Sequence, residues 1–132
     1  MDGNATSAPG VGAIKTRARP RLSTVDRHDG HLRVLISAVT DQSGASAPAL
    51  RRAIVDGLRS RRSLVESGLP HAVRAYVEQV AVDATRVTTD DIEPMRRAGL
   101  NEEVIFELTV AAALGASLAR LDRCLEVMAL EG

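Results

Sequence analysis

The side chains able to do thiol or acid–base chemistry are few and scattered along the chain. Cys124 is the single cysteine, which excludes an intrachain disulfide, a Cys-x-x-Cys redox pair and a thiolate zinc cage. Cys124 falls near the carboxyl end of a predicted helix, where the negative end of the helix dipole disfavours the thiolate that a nucleophilic cysteine needs. We interpret it as a small, at least half-buried packing residue, and we expect no cofactor.

Glu107 is the most informative acid, because it lies one turn into a long predicted helix and directly before an apolar run. Buried at an interface, its carboxyl group could transfer a proton. On the solvent side it would be an ordinary helix-forming residue, which is the simpler interpretation. Glu107 is thus the single candidate catalytic residue.

Four potential metal ligands, Asp26, His28, Asp29 and His31, are close in sequence. Oxygen and imidazole groups can bind a metal, but only when the backbone holds them in a fixed geometry. This segment has no hydrophobic period that predicts such a scaffold, so we expect a solvated loop and no metal site. His71 follows Pro70 at the start of a predicted helix, and we interpret it as a surface or boundary residue.

The composition limits the functions that 132 residues, about one domain, can perform. Apolar residues make up 45 %, but aromatic residues only 2 %, so the core must consist of Ala, Leu, Val and Ile. Tyr76 and Phe106 alone cannot build a stacking platform for bases or sugars. The formal net charge of zero argues against a generic polyanion binder.

The charges are nevertheless unevenly distributed. Residues 1–62 carry eleven basic and five acidic side chains, whereas residues 63–132 carry six and twelve. The basic half could bind an acidic partner, or it could be neutralised by the other half of the chain or by a neighbouring subunit. The equal and opposite totals favour the second interpretation.

Residues 1–30 are rich in Gly, Pro, Ser, Arg and Asp and show no hydrophobic period. We predict a disordered or loosely attached tail there, followed by a single helical domain over residues 31–132. The tail lacks the apolar core of a signal peptide, and no uninterrupted apolar stretch approaches the roughly 20 residues that span a bilayer. We therefore expect a cytoplasmic protein that does not bind membranes.

Hydrophobic spacing and capping residues predict a series of helices. Ser46 is a candidate cap for a helix that buries Ile54 and points Arg51 outward. Asp91 is a candidate cap for a short helix, because it would place Pro94 in the first turn, where a missing N–H group matters little. The predicted elements are 31–40 (a helix or a short buried strand), 47–62, 70–87, 91–98 with Gly99 as its left-handed end, and 101–130. In the helix over 70–87 the predicted apolar stripe consists of Val73, Val77, Val80 and Ala84.

The last of these helices is the strongest element. Between Thr109 and Ala119 it is apolar or small on almost every side, which predicts burial on more than one face. Either the other helices or a second subunit must cover it, and its small residues, such as Gly115, would allow a close approach. We predict an all-α, orthogonal or antiparallel bundle of about five to six helices, with this helix at the core and at a subunit interface.

A short turn at Gly99 between two helices also suggests a helix-turn-helix motif. The helix after the turn begins with Glu102 and Glu103 and has no basic residue before Arg120. Carboxylates would face the phosphates, so we do not expect nucleic-acid binding through this element.

The run from Gly99 to Leu108, Gly-Leu-Asn-Glu-Glu-Val-Ile-Phe-Glu-Leu, precedes Ala111-Ala112-Ala113. This segment resembles the one that follows the active-site helix in the alkylhydroperoxidase-D and carboxymuconolactone-decarboxylase superfamily. The resemblance covers about residues 65–130. It implies a helical subunit of a homo-oligomer, in agreement with the apolar C-terminal helix.

Redox members of that superfamily carry a Cys-x-x-Cys-x-x-x-His motif before the glycine. Counting back from Gly99 places Ala84 and Val87 at the cysteine positions and Asp91 at the histidine position. Dithiol peroxidase chemistry needs two thiols and an imidazole, so these residues do not support it. Pro94 is a second departure, because it should interrupt a helix that is continuous in redox members.

The resemblance therefore implies a non-redox, self-associating helical protein. An interhelical pocket near Glu107 is the expected site for a small apolar or acidic molecule. Two alternatives stay open: an interaction module that docks an acidic protein or nucleic acid through its Arg-rich first half, and a lactone- or acid-processing enzyme that uses Glu107.

Overall fold

The computed structural model describes the backbone of residues 18–131 and the side chains of residues 29–130 except residue 66. Within these residues the fold is all-helical and contains no β-strand, which confirms the predicted class. The helices are α1 (Ala18–Thr40), α2 (Pro48–Arg59), α3 (His71–Asp83), α4 (Thr89–Arg97) and α5 (Glu102–Glu131), with 3₁₀ turns at Val65–Ser67 and Ala84–Arg86.

The start of α1 differs from the predicted boundary near residue 30. The backbone is helical from Ala18, and the segment that could have been a strand is the second half of this helix. The segment from Asp26 to His31, which we expect to be a solvated loop, is part of this helix, and an ion pair of 2.7 Å joins Asp29 to Arg33 one turn later. Leu35–Glu131 forms one compact unit, and the described residues up to Val34 belong to a separate one. Disorder or loose attachment of the tail stays a prediction.

α2 begins after Ala47, which has the extended backbone of an N-cap residue, and Pro48 occupies the first turn. Proline suits this position because its missing N–H group would have no partner within the helix. The prediction that Ser46 caps this helix is wrong, since its side chain binds elsewhere. Ile54 and Val55 are fully buried, as the apolar spacing predicts.

α2 packs closely against α5, the most extensive helix contact in the compact unit. Gly115 makes this approach feasible: a Cβ atom there would lie 3.0 Å from the Val55 carbonyl oxygen and 3.0 Å from the Leu58 Cβ. The small-residue face of α5 therefore packs within the chain. Close packing at Gly115 accordingly gives no evidence for a subunit interface.

α3 covers a second side of α5. Val73, Val77 and Val80 are buried along its predicted stripe, although Ala84, at the end of that stripe, is exposed. The buried Tyr76 forms a hydrogen bond of 2.8 Å with the Thr109 hydroxyl group of α5. Because Thr109 donates its own proton to a backbone carbonyl, the Tyr76 hydroxyl group is the donor in this pair.

α4 begins at a different cap from the predicted one. Thr88 is the N-cap, and its backbone N–H group donates to the Asp91 carboxylate at 2.8 Å in a capping box. Pro94 consequently lies inside the helix rather than in its first turn. The predicted end is confirmed: Gly99 has φ +95°, and Leu100 donates to the Met95 carbonyl oxygen.

α5 is capped by Asn101, whose side chain accepts a hydrogen bond of 2.9 Å from the Val104 N–H group. Its apolar run contacts both α2 and α3, but Ala113 and Ser117 are exposed, so burial is not complete on all sides. Of the helices described, α5 is the one with the length and mean hydropathy of a membrane span, over Glu102–Leu130. The core helix of a globular protein has the same features, so this is weak evidence for a membrane location.

Candidate functional site

Glu107 is held by the turn that joins α1 to α2. One carboxylate oxygen, Oε2, accepts a hydrogen bond of 2.8 Å from the Ala45 N–H group. The other, Oε1, accepts one of 2.8 Å from the Ser46 N–H group and one of 2.5 Å from the Ser46 hydroxyl group. Three donors thus fix the side chain in a half-buried position.

These bonds lower the pKa of the Glu107 carboxyl group from 4.5 to about 2, first through the Ser46 hydroxyl and then through the Ala45 and Ser46 N–H groups. A nearby positive charge, on Arg51, acts in the same direction. Glu107 is therefore ionised at neutral pH and is poorly suited to donate a proton. It is also more than a solvent-facing helix former, because it anchors a turn 61 residues away in the chain.

The turn can wrap around the carboxylate because residue 44 is a glycine. A Cβ atom at Gly44 would lie 2.6 Å from Oε2 of Glu107, well inside van der Waals contact. Gly44, Ala45 and Ser46 together form a backbone cradle for a fixed negative charge.

Arg51 is buried, with 5 % of its surface exposed, so the prediction that it points into solvent is wrong. Its guanidinium group donates to the carbonyl oxygen of Val39 at 2.8 Å and to those of Gln42 and Ser46. These bonds connect the end of α1 to α2 and offset part of the free-energy cost of burying the charge. The Nε–H group of Arg51 has no hydrogen-bond partner among the described residues.

Arg51 and Glu107 both line a cleft of about 260 Å³ in the compact unit. Its lining is polar and apolar in about equal parts and includes the largely exposed Phe106. The Gln42 and Ser43 side chains in this lining make no hydrogen bond with another described residue. The lining comprises Ala38, Val39, Gln42, Ser43, Arg51, Phe106, Glu107 and Val110.

The positions of the degenerate dithiol motif do not share a helix. Ala84 is exposed in a 3₁₀ turn, Val87 lies in the extended linker after it, and Asp91 belongs to the capping box of α4. The helical path is therefore interrupted at residues 84–88, before Pro94. None of the three positions lines the cleft beside Glu107.

The other residues singled out in the sequence lie apart from the cleft. His71 is exposed, and its ring nitrogen is 3.2 Å from a guanidinium nitrogen of Arg74. Cys124 is exposed on α5, so its interpretation as a packing residue is wrong. No group of three or more potential metal ligands occurs among the described residues. The side chains of Asp26 and His28 lie outside the described set.

The basic residues of α2 are used within the chain. Arg59 forms a bidentate ion pair with Asp122 of α5, in which two guanidinium nitrogens lie 2.8 and 3.1 Å from the two carboxylate oxygens. Arg52 pairs with Asp41 at 2.6 Å, which lowers the pKa of that carboxyl group. The Arg59–Asp122 pair joins the basic half of the chain to the acidic half, in agreement with the predicted neutralisation, whereas the Arg52–Asp41 pair lies within the basic half.

Sequence reasoning identified Glu107 but missed Arg51 as its neighbour in the site. A signal was present, because Arg51 precedes Ile54, Val55 and Leu58 at helical spacing and therefore belongs to the buried stripe. Because α2 is rich in arginine, Arg51 was assigned to its solvent-exposed face together with the other basic residues.

Comparisons with protein-family models, with curated proteins and with solved structures found no match.

Proposed function

We propose that this protein binds a small molecule in the cleft beside Glu107 and performs no dithiol chemistry. It would be a non-redox member of the alkylhydroperoxidase-D and carboxymuconolactone-decarboxylase superfamily that its sequence resembles. One observation carries the proposal: a cleft of about 260 Å³ is lined by apolar side chains together with a fixed carboxylate and a buried guanidinium group.

Binding explains this arrangement better than proton transfer does. A carboxyl group with a pKa of about 2 cannot serve as a general acid near neutral pH, and its oxygens are already occupied by three donors. Rigid polar groups among the apolar side chains of a cleft instead orient a bound molecule. The proposed role of Glu107 is therefore to hold the turn and to set the charge of the cleft.

The experiment is a titration of ¹⁵N-labelled protein with small aromatic probes, followed by NMR. We expect concentration-dependent shifts for backbone amides of the cleft, with saturation. Ala38→Trp fills the cleft from an exposed position and should abolish binding. Ala75→Trp, at an exposed position on α3, is the matched control and should bind normally. Equal binding by the two variants would contradict the proposal.

We also propose that the protein self-associates through the C-terminal end of α5. Val127, Met128 and Leu130 are exposed there, and 83 % of Leu130 is accessible. Exposed apolar side chains at the end of a long helix are typical of a subunit contact. A second copy is the proposed partner, because the formal net charge of zero leaves the association of two copies unopposed by long-range repulsion.

Sedimentation velocity tests this second part. Leu130→Glu should shift the protein to a smaller species, because it places a charge in the contact. Val82→Glu changes a valine that is 79 % exposed on α3 and should leave the sedimentation coefficient unchanged. A monomeric wild-type protein would contradict the proposed self-association.

The proposed location is the cytoplasm, with α5 as a core helix rather than a membrane span. The alternative function, docking of an acidic protein or nucleic acid by the Arg-rich half, gains no support from α2. Arg51 is buried there, and Arg52 and Arg59 are engaged in ion pairs.

A further inference from the structure

We infer that the cleft selects uncharged molecules that carry a hydrogen-bond acceptor, such as a carbonyl oxygen, and that the Nε–H group of Arg51 is the donor that recognises it. The inference rests on the proposed binding function and specifies the chemistry of the ligand. Only 5 % of the Arg51 surface is exposed, and the residue lines the cleft. Its Nε–H group has no acceptor among the described residues.

An unpartnered donor on a buried charged group is rare, because leaving it without an acceptor destabilises the fold. The other guanidinium donors are committed to the carbonyl oxygens of Val39, Gln42 and Ser46, which fix the plane of the group. The Nε–H group is thereby held in place without a protein acceptor. An acceptor on a ligand would satisfy it.

The Nε atom of Arg51 has almost no exposed surface, so a ligand acceptor reaches it by displacing side chains that line the cleft. Gln42 and Ser43 are exposed there, and their side chains make no hydrogen bond with another described residue. They can therefore move aside, or bind the same polar group of the ligand, without breaking contacts within the protein. The apolar side of the ligand would lie against Val39, Phe106 and Val110.

The charges around the cleft decide against an anionic ligand. The positive charge of Arg51 is already balanced by the ionised Glu107, whose carboxylate lines the same cleft. Glu103 borders an adjoining recess together with Phe106 and Glu107, whereas Glu102 of the same recess is neutralised by an ion pair of 2.7 Å with Arg96. A ligand carboxylate would thus meet a surplus of negative charge, whereas a neutral carbonyl group would not.

The test compares three probes of similar size by NMR titration: acetophenone, benzoate and toluene. Acetophenone supplies a neutral acceptor, benzoate a charged one, and toluene none. We expect acetophenone to bind about tenfold more tightly than toluene, as for one hydrogen bond to a charged donor, and benzoate to bind more weakly than acetophenone. The Nε–H resonance of Arg51 should shift with acetophenone and not with toluene.

Arg51→Lys keeps the positive charge and removes the Nε–H group. In this variant we expect acetophenone and toluene to bind equally. If the variant does not fold, the Nε–H resonance of the wild-type protein decides the question by itself.

The outcomes separate the two proposals. Equal binding of acetophenone and toluene by the wild-type protein, or tightest binding of benzoate, would overturn the inference while leaving the binding function intact. Absence of binding by all three probes would overturn both. A shift of the Arg51 resonance that persists in Ala38→Trp would place the probe outside the cleft and also overturn the inference.

Discussion

Replacement of Glu107 by glutamine tests whether the carboxylate is an ionised anchor. The side chain keeps its size, but an amide group can no longer offer acceptor oxygens to both Ala45 and Ser46. The lowering of the pKa from 4.5 to about 2 would correspond to roughly 3 kcal/mol if it were fully expressed in stability. Glu107 is only half-buried, and solvent screening reduces the expected loss at pH 7 to about 1–2 kcal/mol.

The pH dependence gives the sign of the effect. A carboxyl group whose pKa is lowered by folding stabilises the protein fully above its unfolded-state pKa, near 4.5 for Glu107. That stabilisation is lost as the pH falls towards the folded-state value of about 2. At pH 3, roughly 40 % of the stabilisation should remain. The difference between wild type and Glu107→Gln should therefore shrink by more than half between pH 7 and pH 3.

Urea unfolding at the two pH values, followed by circular dichroism, measures this difference directly. Glu103→Gln is the matched control, because Glu103 is exposed near the start of the same helix. The control should change stability by less than about 0.5 kcal/mol at either pH. A Glu107→Gln effect that is independent of pH, or no larger than that of the control, would refute the proposed anchoring.

Three further substitutions test the packing that positions the cleft. Gly115→Leu should destabilise the protein by about 1–3 kcal/mol in chemical unfolding, because its side chain would overlap α2, whereas Ala113→Leu at an exposed position should change little. Tyr76→Phe should lose about 1 kcal/mol, and the loss should vanish in a Thr109→Val background, as a double-mutant cycle would detect. Arg59→Ala should lose about 0.5 kcal/mol at low salt and less at high salt, and a salt-independent loss would contradict an ion-pair effect.

Periodicity predicted helices α2 to α5 well, because that signal is local, whereas the predicted N-caps Ser46 and Asp91 were wrong. The spacing of Val73, Val77 and Val80 identified the buried face of α3, and Gly99 identified the end of α4. The predicted N-cap of α4, Asp91, lies three residues after the observed one, Thr88, because the prediction gave the cost of an internal Pro94 more weight than the capping box of Thr88. Thr88 and Asp91 are both suitable N-cap residues, and the helix begins after Thr88, which forms a reciprocal capping box with Asp91.

The polar contacts of the site could not be predicted in the same way. Ser46 resembles a helix cap in sequence, but its partner is a carboxylate 61 residues further along the chain. Arginine usually lies at the surface, but Arg51 is buried and donates a hydrogen bond to a carbonyl oxygen at the end of α1. Such contacts depend on how distant elements meet, which a local pattern does not encode.

A crystal structure of the protein with bound acetophenone tests the central claim most directly. We predict that the ligand ring lies against Phe106 and Val110 and that its carbonyl oxygen accepts a hydrogen bond from Nε of Arg51. A ligand that occupies another surface, or that lies in the cleft with its carbonyl oxygen directed away from Arg51, would contradict the account.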